Sequence, residues 1–99
     1  MGQAEVEDPG KDRLLPGEAT SLHSGNLDDA RLWVRVYAEL TGFKDVLLAQ
    51  VREQGRSVTE AGQPEVENDT KLLEREAKRL KRRLMLWQHE LDKRETRSA

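Results

Sequence analysis

The stretch VENDTKLLEREAKRLKRRLMLWQHEL, residues 66–91, decides the fold class. Val66, Thr70, Leu73, Ala77, Leu80, Leu84, Trp87 and Leu91 follow one another at steps of 4, 3, 4, 3, 4, 3 and 4. That alternation keeps one edge of an α-helix apolar for more than three heptads, with Thr70 its only polar member. Glu74–Lys78 and Glu90–Arg94 stand at i,i+4 in the favourable order, each contributing about 0.2–0.5 kcal/mol. Lys93, Arg94 and Arg97 gather at the C-terminal end, where cations suit the helix dipole. Leu72, Met85 and Leu86 lie off the stripe. The pattern predicts a helix over about 68–96. Its start is open between Asn68 or Asp69 and Pro64, which suits a first helical position with Glu65 and Glu67 in the first turn.

Upstream, GRSVTEAGQPEVE at 55–67 reads as a connector punctuated by Gly55, Gly62 and Pro64. A second helix is predicted over about 26–54. Asn26 can cap it, Asp28 and Asp29 fall in its first turn, and Gly55 suits its C-terminal cap. Trp33, Val36, Leu40, Phe43 and Leu47 follow at steps of 3, 4, 3 and 4 and form its expected seam. Gly42 interrupts the run and costs roughly 1 kcal/mol relative to alanine, without ending the helix.

Residues 1–25 hold Pro9, Gly10, Pro16, Gly17 and Gly25 and show no helical or strand period. Ordering such a stretch costs about 1–2 kcal/mol per residue, which its sparse apolar content does not repay. The expectation is a disordered acidic tail, the sharper alternative being a short partner-binding segment around Leu14, Leu15 and Leu22. Charge follows the same division: −3 over 1–25, −1 over 26–54, −3 over 55–70 and +5 over 71–99.

Two long helices and a short connector predict an all-α fold, an antiparallel, coiled-coil-like helical hairpin over 26–97. The 99 residues hold one small domain at most. Trp33 is expected near Trp87 and Leu91, closing the open end of the hairpin. The first helix is apolar over more than half its circumference, beyond the roughly 100° arc that a surface helix needs. Trp33, Val34, Tyr37, Leu48 and Val51 are therefore the expected interaction surface. Val36, Leu40, Phe43, Leu47, Leu73, Ala77, Leu80, Leu84, Trp87 and Leu91 are the expected hairpin seam. A two-helix unit of this size is short of interior. Dimerisation into a four-helix bundle follows as the simplest remedy.

Several function classes find no support. The chain has no cysteine, so disulfides, thiol catalysis and Cys-ligated metal are excluded. No apolar run approaches the roughly 20 residues of a membrane span. The start MGQAEVEDPGKDR lacks a secretory plan, which makes a cytoplasmic location the expectation. His23 and His89 have no neighbouring nucleophile, and no Glu-x-x-His pair or phosphate-binding glycine loop occurs. No catalytic residue, cofactor or metal site is expected. Asn68-Asp69-Thr70 matches a glycosylation sequon and reads better as a helix start.

The run Lys78-Arg79-Leu80-Lys81-Arg82-Arg83 is the strongest local feature. Lys78, Arg79, Lys81, Arg82 and Arg83 are candidate phosphate contacts, each able to release counterions. Adjacent positions wrap around a helix, however. Lys81 and Arg83 flank the seam, where they are expected to meet Glu39, Asp45 or Glu53. The function expected is non-enzymatic: a protein-protein interaction module, an adaptor or regulator, acting as a homodimer or on a helical partner. The alternatives are a nucleic-acid-associated protein using 78–83 and a subunit whose first helix docks on a larger protein.

Overall fold

The computed structural model describes residues 13–98, and among them every regular element is helical. A short helix α1 (Glu18–Ser24) precedes two long ones, α2 (Leu27–Gly55) and α3 (Gln63–Ser98). A single 3₁₀ turn at Glu60–Gly62 stands between the long helices. No helix among the described residues is long and apolar enough to cross a membrane.

Asn26 opens α2 by accepting the Asp28 amide on its side-chain oxygen at 2.8 Å. The helix runs unbroken past Gly42, which faces open space. Its last residue, Gly55, is buried, and a Cβ there would stand 2.6 Å from a Val66 methyl, so the connector closes only over glycine. The Gln63 amide then donates to the carbonyls of both Gly55 and Val58 at 3.0 Å. With the connector so fixed, α3 begins five residues before the expected position 68, and Pro64 sits in its first turn, where a missing N–H costs nothing.

The long helices lie side by side with opposite chain directions. Arg52 reaches Glu74 near the connector, and Arg94 reaches the carbonyl of Asn26 at the far end. Ala30, Trp33, Tyr37, Leu80 and Trp87 form the core. Trp33 and Trp87 stack with ring centroids 6.1 Å apart and planes 20° apart.

The inward face of α2 differs from the expected seam. Ala30, Trp33, Tyr37, Thr41 and Leu48 are buried. Against Val36, Leu40 and Leu47, the buried set of Tyr37, Thr41 and Leu48 is displaced by one residue, a rotation of about 100°. Leu40 and Leu47 remain half-buried at the margin, and Phe43 is 59 % exposed. Trp33, Tyr37 and Leu48, expected on an intermolecular surface, therefore pack inside the chain, while Val34 and Val51 are half-buried. The reason is Tyr37: inward, its ring buries fully and its hydroxyl gains a partner, which Val36, Leu40, Phe43 and Leu47 cannot offer.

That partner belongs to α1, and here the expected disordered tail is corrected. Residues 14–25 turn and fold onto the long helices, with Leu15 and Leu22 packed against the core. Gly17 and Gly25 bracket α1 at φ +87° and +69°, left-handed conformations that glycine adopts without a Cβ clash. The rest of the expected tail, residues 1–12, lies outside the described residues.

Candidate interaction site

Glu18 is the first residue of α1 and has no exposed surface. One carboxylate oxygen accepts the Tyr37 hydroxyl at 2.6 Å and the Leu15 amide at 2.9 Å. The other accepts the Trp87 indole N–H at 2.7 Å and two guanidinium donors of Arg83, Nη2 at 2.5 Å and Nε at 3.2 Å. Burial pushes the Glu18 carboxyl up. The hydrogen bonds from Tyr37, Arg83, Trp87 and the Leu15 amide outweigh burial and hold it below the usual carboxylate range. Burial, followed by the bond to Glu18, pushes the Tyr37 hydroxyl up to about 12.

Arg94, three turns beyond Arg83 on the same face of α3, holds the other end of α1. Its guanidinium donates to the carbonyls of Ser21 at 3.1 Å, Leu22 at 3.2 Å and Asn26 at 2.7 Å. It lies 5.5 Å over the Trp87 ring and pairs with Glu90 at 3.3 Å. The last carbonyls of α1 thus meet a cation instead of water. This buried cluster orients α1, with Glu18 and Arg94 each bound to several groups of the same chain.

The basic run divides accordingly. Arg83 is turned inward onto Glu18, in place of the expected Glu39, Asp45 or Glu53. Arg79 pairs with Glu76 at 3.1 Å and also donates to the carbonyl of Arg13 at 3.4 Å. Glu74 bridges to Arg52 at 2.6 Å and not to the expected Lys78. Lys78 and Lys81 are exposed and form no ion pair among the described residues. A groove of about 340 Å³ between α2 and α3 has both of them on its wall, opposite Asp45.

On the outer side of α2 the structure leaves apolar side chains in water: Leu32 is 41 % exposed, Phe43 59 % and Val46 55 %. With Glu39, Gln50 and the half-buried Val36, which also packs against the core, they form a line at steps of 4, 3, 4, 3 and 4. The helix thus carries two stripes, one turned to α3 and one turned outward.

Glu18 is not singled out by sequence; Arg94 is read there only as the partner of Glu90 and a cation at the helix end, and Val36 and Phe43 as seam residues turned inward. For Glu18 the available signal is Glu18 and Leu22 at i and i+4 between Gly17 and Gly25, with Leu15 just ahead. Comparison with family models, with curated proteins and with solved structures finds no match.

Proposed function

We propose that the chain is a non-enzymatic interaction module that associates with a second copy of itself through the outward stripe of α2. The observation that carries this reading is the exposure of Leu32, Phe43 and Val46 along one edge of a 29-residue helix. Together they put on the order of 300 Å² of apolar surface in water, the size of patch that marks contact sites on folded proteins. The spacing is self-complementary. A second α2 laid antiparallel about the level of residue 41 sets Val36 against Val46, Leu32 against Gln50 and Glu39 beside Phe43. Each contact then occurs twice, as a two-fold axis requires. In this reading α2 and α3 act as a helical hairpin and two copies complete a four-helix bundle.

The test is sedimentation equilibrium with far-UV circular dichroism at tens of micromolar. Phe43→Glu sets a charge in the contact and is expected to shift the mass to that of a monomer with helicity retained. Leu48→Glu, inside the chain, is expected to lose helicity and association together. A wild-type monomer at that concentration, or unchanged association of Phe43→Glu, overturns the proposal.

A further inference from the structure

The outer face of α3 carries a second pattern, independent of the apolar stripe. Lys71, Arg75, Lys78 and Lys81 are all exposed and lie within about one third of the helix circumference. None forms an ion pair among the described residues. Arg82 shares the arc by spacing and is half-buried. Of the carboxylates nearby, Glu74 is bound to Arg52, Glu76 is bound to Arg79, Asp45 stands across the groove from Lys78 and Lys81 without pairing to either, and Glu67 is exposed one turn before Lys71 without pairing to it. From Ala77 to His89 the chain contains no acid.

We infer that this face binds the phosphate backbone of duplex nucleic acid without regard to sequence. Four cations are strung along about 15 Å of helix, beside which a duplex of equal length carries roughly nine charges. Within the arc, Lys71, Arg75, Lys78 and Lys81 are joined by one acid, Glu74, and by no apolar side chain. Two protruding apolar residues border it: Leu72, 58 % exposed and three residues before Arg75, and Met85, 64 % exposed and four residues after Lys81. Thirteen residues apart, they make no row of knobs for a helical protein partner and no continuous wedge for a membrane surface. A lattice of phosphates needs neither knob nor wedge, because charge alone positions it. No asparagine or glutamine stands within the four to read a base edge.

Fluorescence anisotropy of a labelled DNA duplex of about 20 base pairs, titrated with the full chain, tests the inference. Four phosphate contacts predict a fall in affinity of roughly 100-fold between about 25 and 100 mM salt. Arg75→Glu with Lys78→Glu should weaken binding at least about tenfold at low salt and flatten the salt slope by about two. Arg75→Gln with Lys78→Gln should weaken it less, and both variants should keep wild-type helicity, since these side chains touch nothing inside. Arg35→Glu, on exposed α2, should change affinity by less than about threefold. No binding at tens of micromolar protein in low salt overturns the inference. So does an equal loss in Arg35→Glu, or binding to phosphatidylserine vesicles with none to the duplex.

Discussion

The Glu18 carboxylate and the Arg83 guanidinium, 65 residues apart in the chain, meet at 2.5 Å with neither side chain reached by solvent. Removing the carboxylate takes away the acceptor that Arg83, Trp87 and Tyr37 share inside the protein. Glu18→Gln is therefore expected to cost about 3–5 kcal/mol, and Glu18→Leu with Arg83→Met to recover much of that loss. Urea denaturation of the singles and the double completes the cycle. A double variant no more stable than the singles would show that the pair is not what holds α1.

Acid should loosen the same contact. Glu18 titrates below its ordinary value of 4.5 in the folded chain, and Glu76 and Glu90 do so too, held down chiefly by Arg79 and Lys93. A depressed folded pKa contributes stability that is present above the unfolded value and lost as pH falls through the folded one. Stability should thus be level above about pH 5 and decline below about 4.5. Denaturant midpoints measured across that range check it, and Glu18→Gln should flatten the decline.

At alkaline pH the sign reverses. Tyr37 is the chain's single tyrosine, and its folded pKa of about 12 lies above the ordinary 10.0. A raised folded pKa gives stability that is complete below the unfolded value and lost as pH rises through the folded one. Near-ultraviolet tyrosinate absorbance should appear close to pH 12 in the folded chain and close to 10 in denaturant. Ionisation at the ordinary value in the folded chain would mean that the hydroxyl is not enclosed with Glu18.

Arg94→Lys keeps the charge and loses the fork that serves three carbonyls at once. Hydrogen bonds to charged groups contribute about 1.5–3 kcal/mol, so α1 should open locally while α2 and α3 stay paired. Hydrogen exchange should speed up at Leu22, His23 and Ser24 and hold steady at Tyr37 and Trp87. Unchanged protection in α1 would rule out Arg94 as its clamp.

Thr41 offers a gain. Its hydroxyl is buried with no hydrogen-bond partner among the described residues. Thr41→Val keeps the shape and removes the stranded group, so stability should rise by about 1 kcal/mol, read from the urea midpoint. A loss in its place would reveal a partner for that hydroxyl.

The helical class of the fold was legible because α3 carries one narrow stripe, and nothing else in the chain competes with it. α2 was harder. Its apolar residues cover two adjacent edges, and periodicity alone ranks Val36, Leu40 and Leu47 level with Tyr37, Thr41 and Leu48. The choice between them rests on a hydroxyl contact with residue 18, which no local pattern reports. Glu18 itself was hidden by composition, since a glycine- and proline-bearing stretch with few leucines looks unable to fold. It folds here because two arginines satisfy it, and a burial argument built on apolar area does not count such partners. The basic run is contiguous in sequence but not in space: Arg83 turns inward onto Glu18, while the helix sets Lys71 and Arg75 on the same side as Lys78.

The distance between α1 and its anchors bears on how the molecule is assembled. Glu18 meets Arg83 across 65 residues, and Ser21 meets Arg94 across 73. On the ribosome, chains emerge at about 5–20 residues per second, so α1 spends seconds without anything to hold. Leu22 and the Glu18 carboxylate then stand in water, with Leu15 just ahead of them, and α2 emerges with its Trp33 and Tyr37 uncovered. Closure waits for the far half of α3, which makes α1 the last of the three helices to settle although it is made before the other two. Any event that delays or truncates α3 before Arg83 therefore releases both ends of the fold at once, the earlier helix with the later.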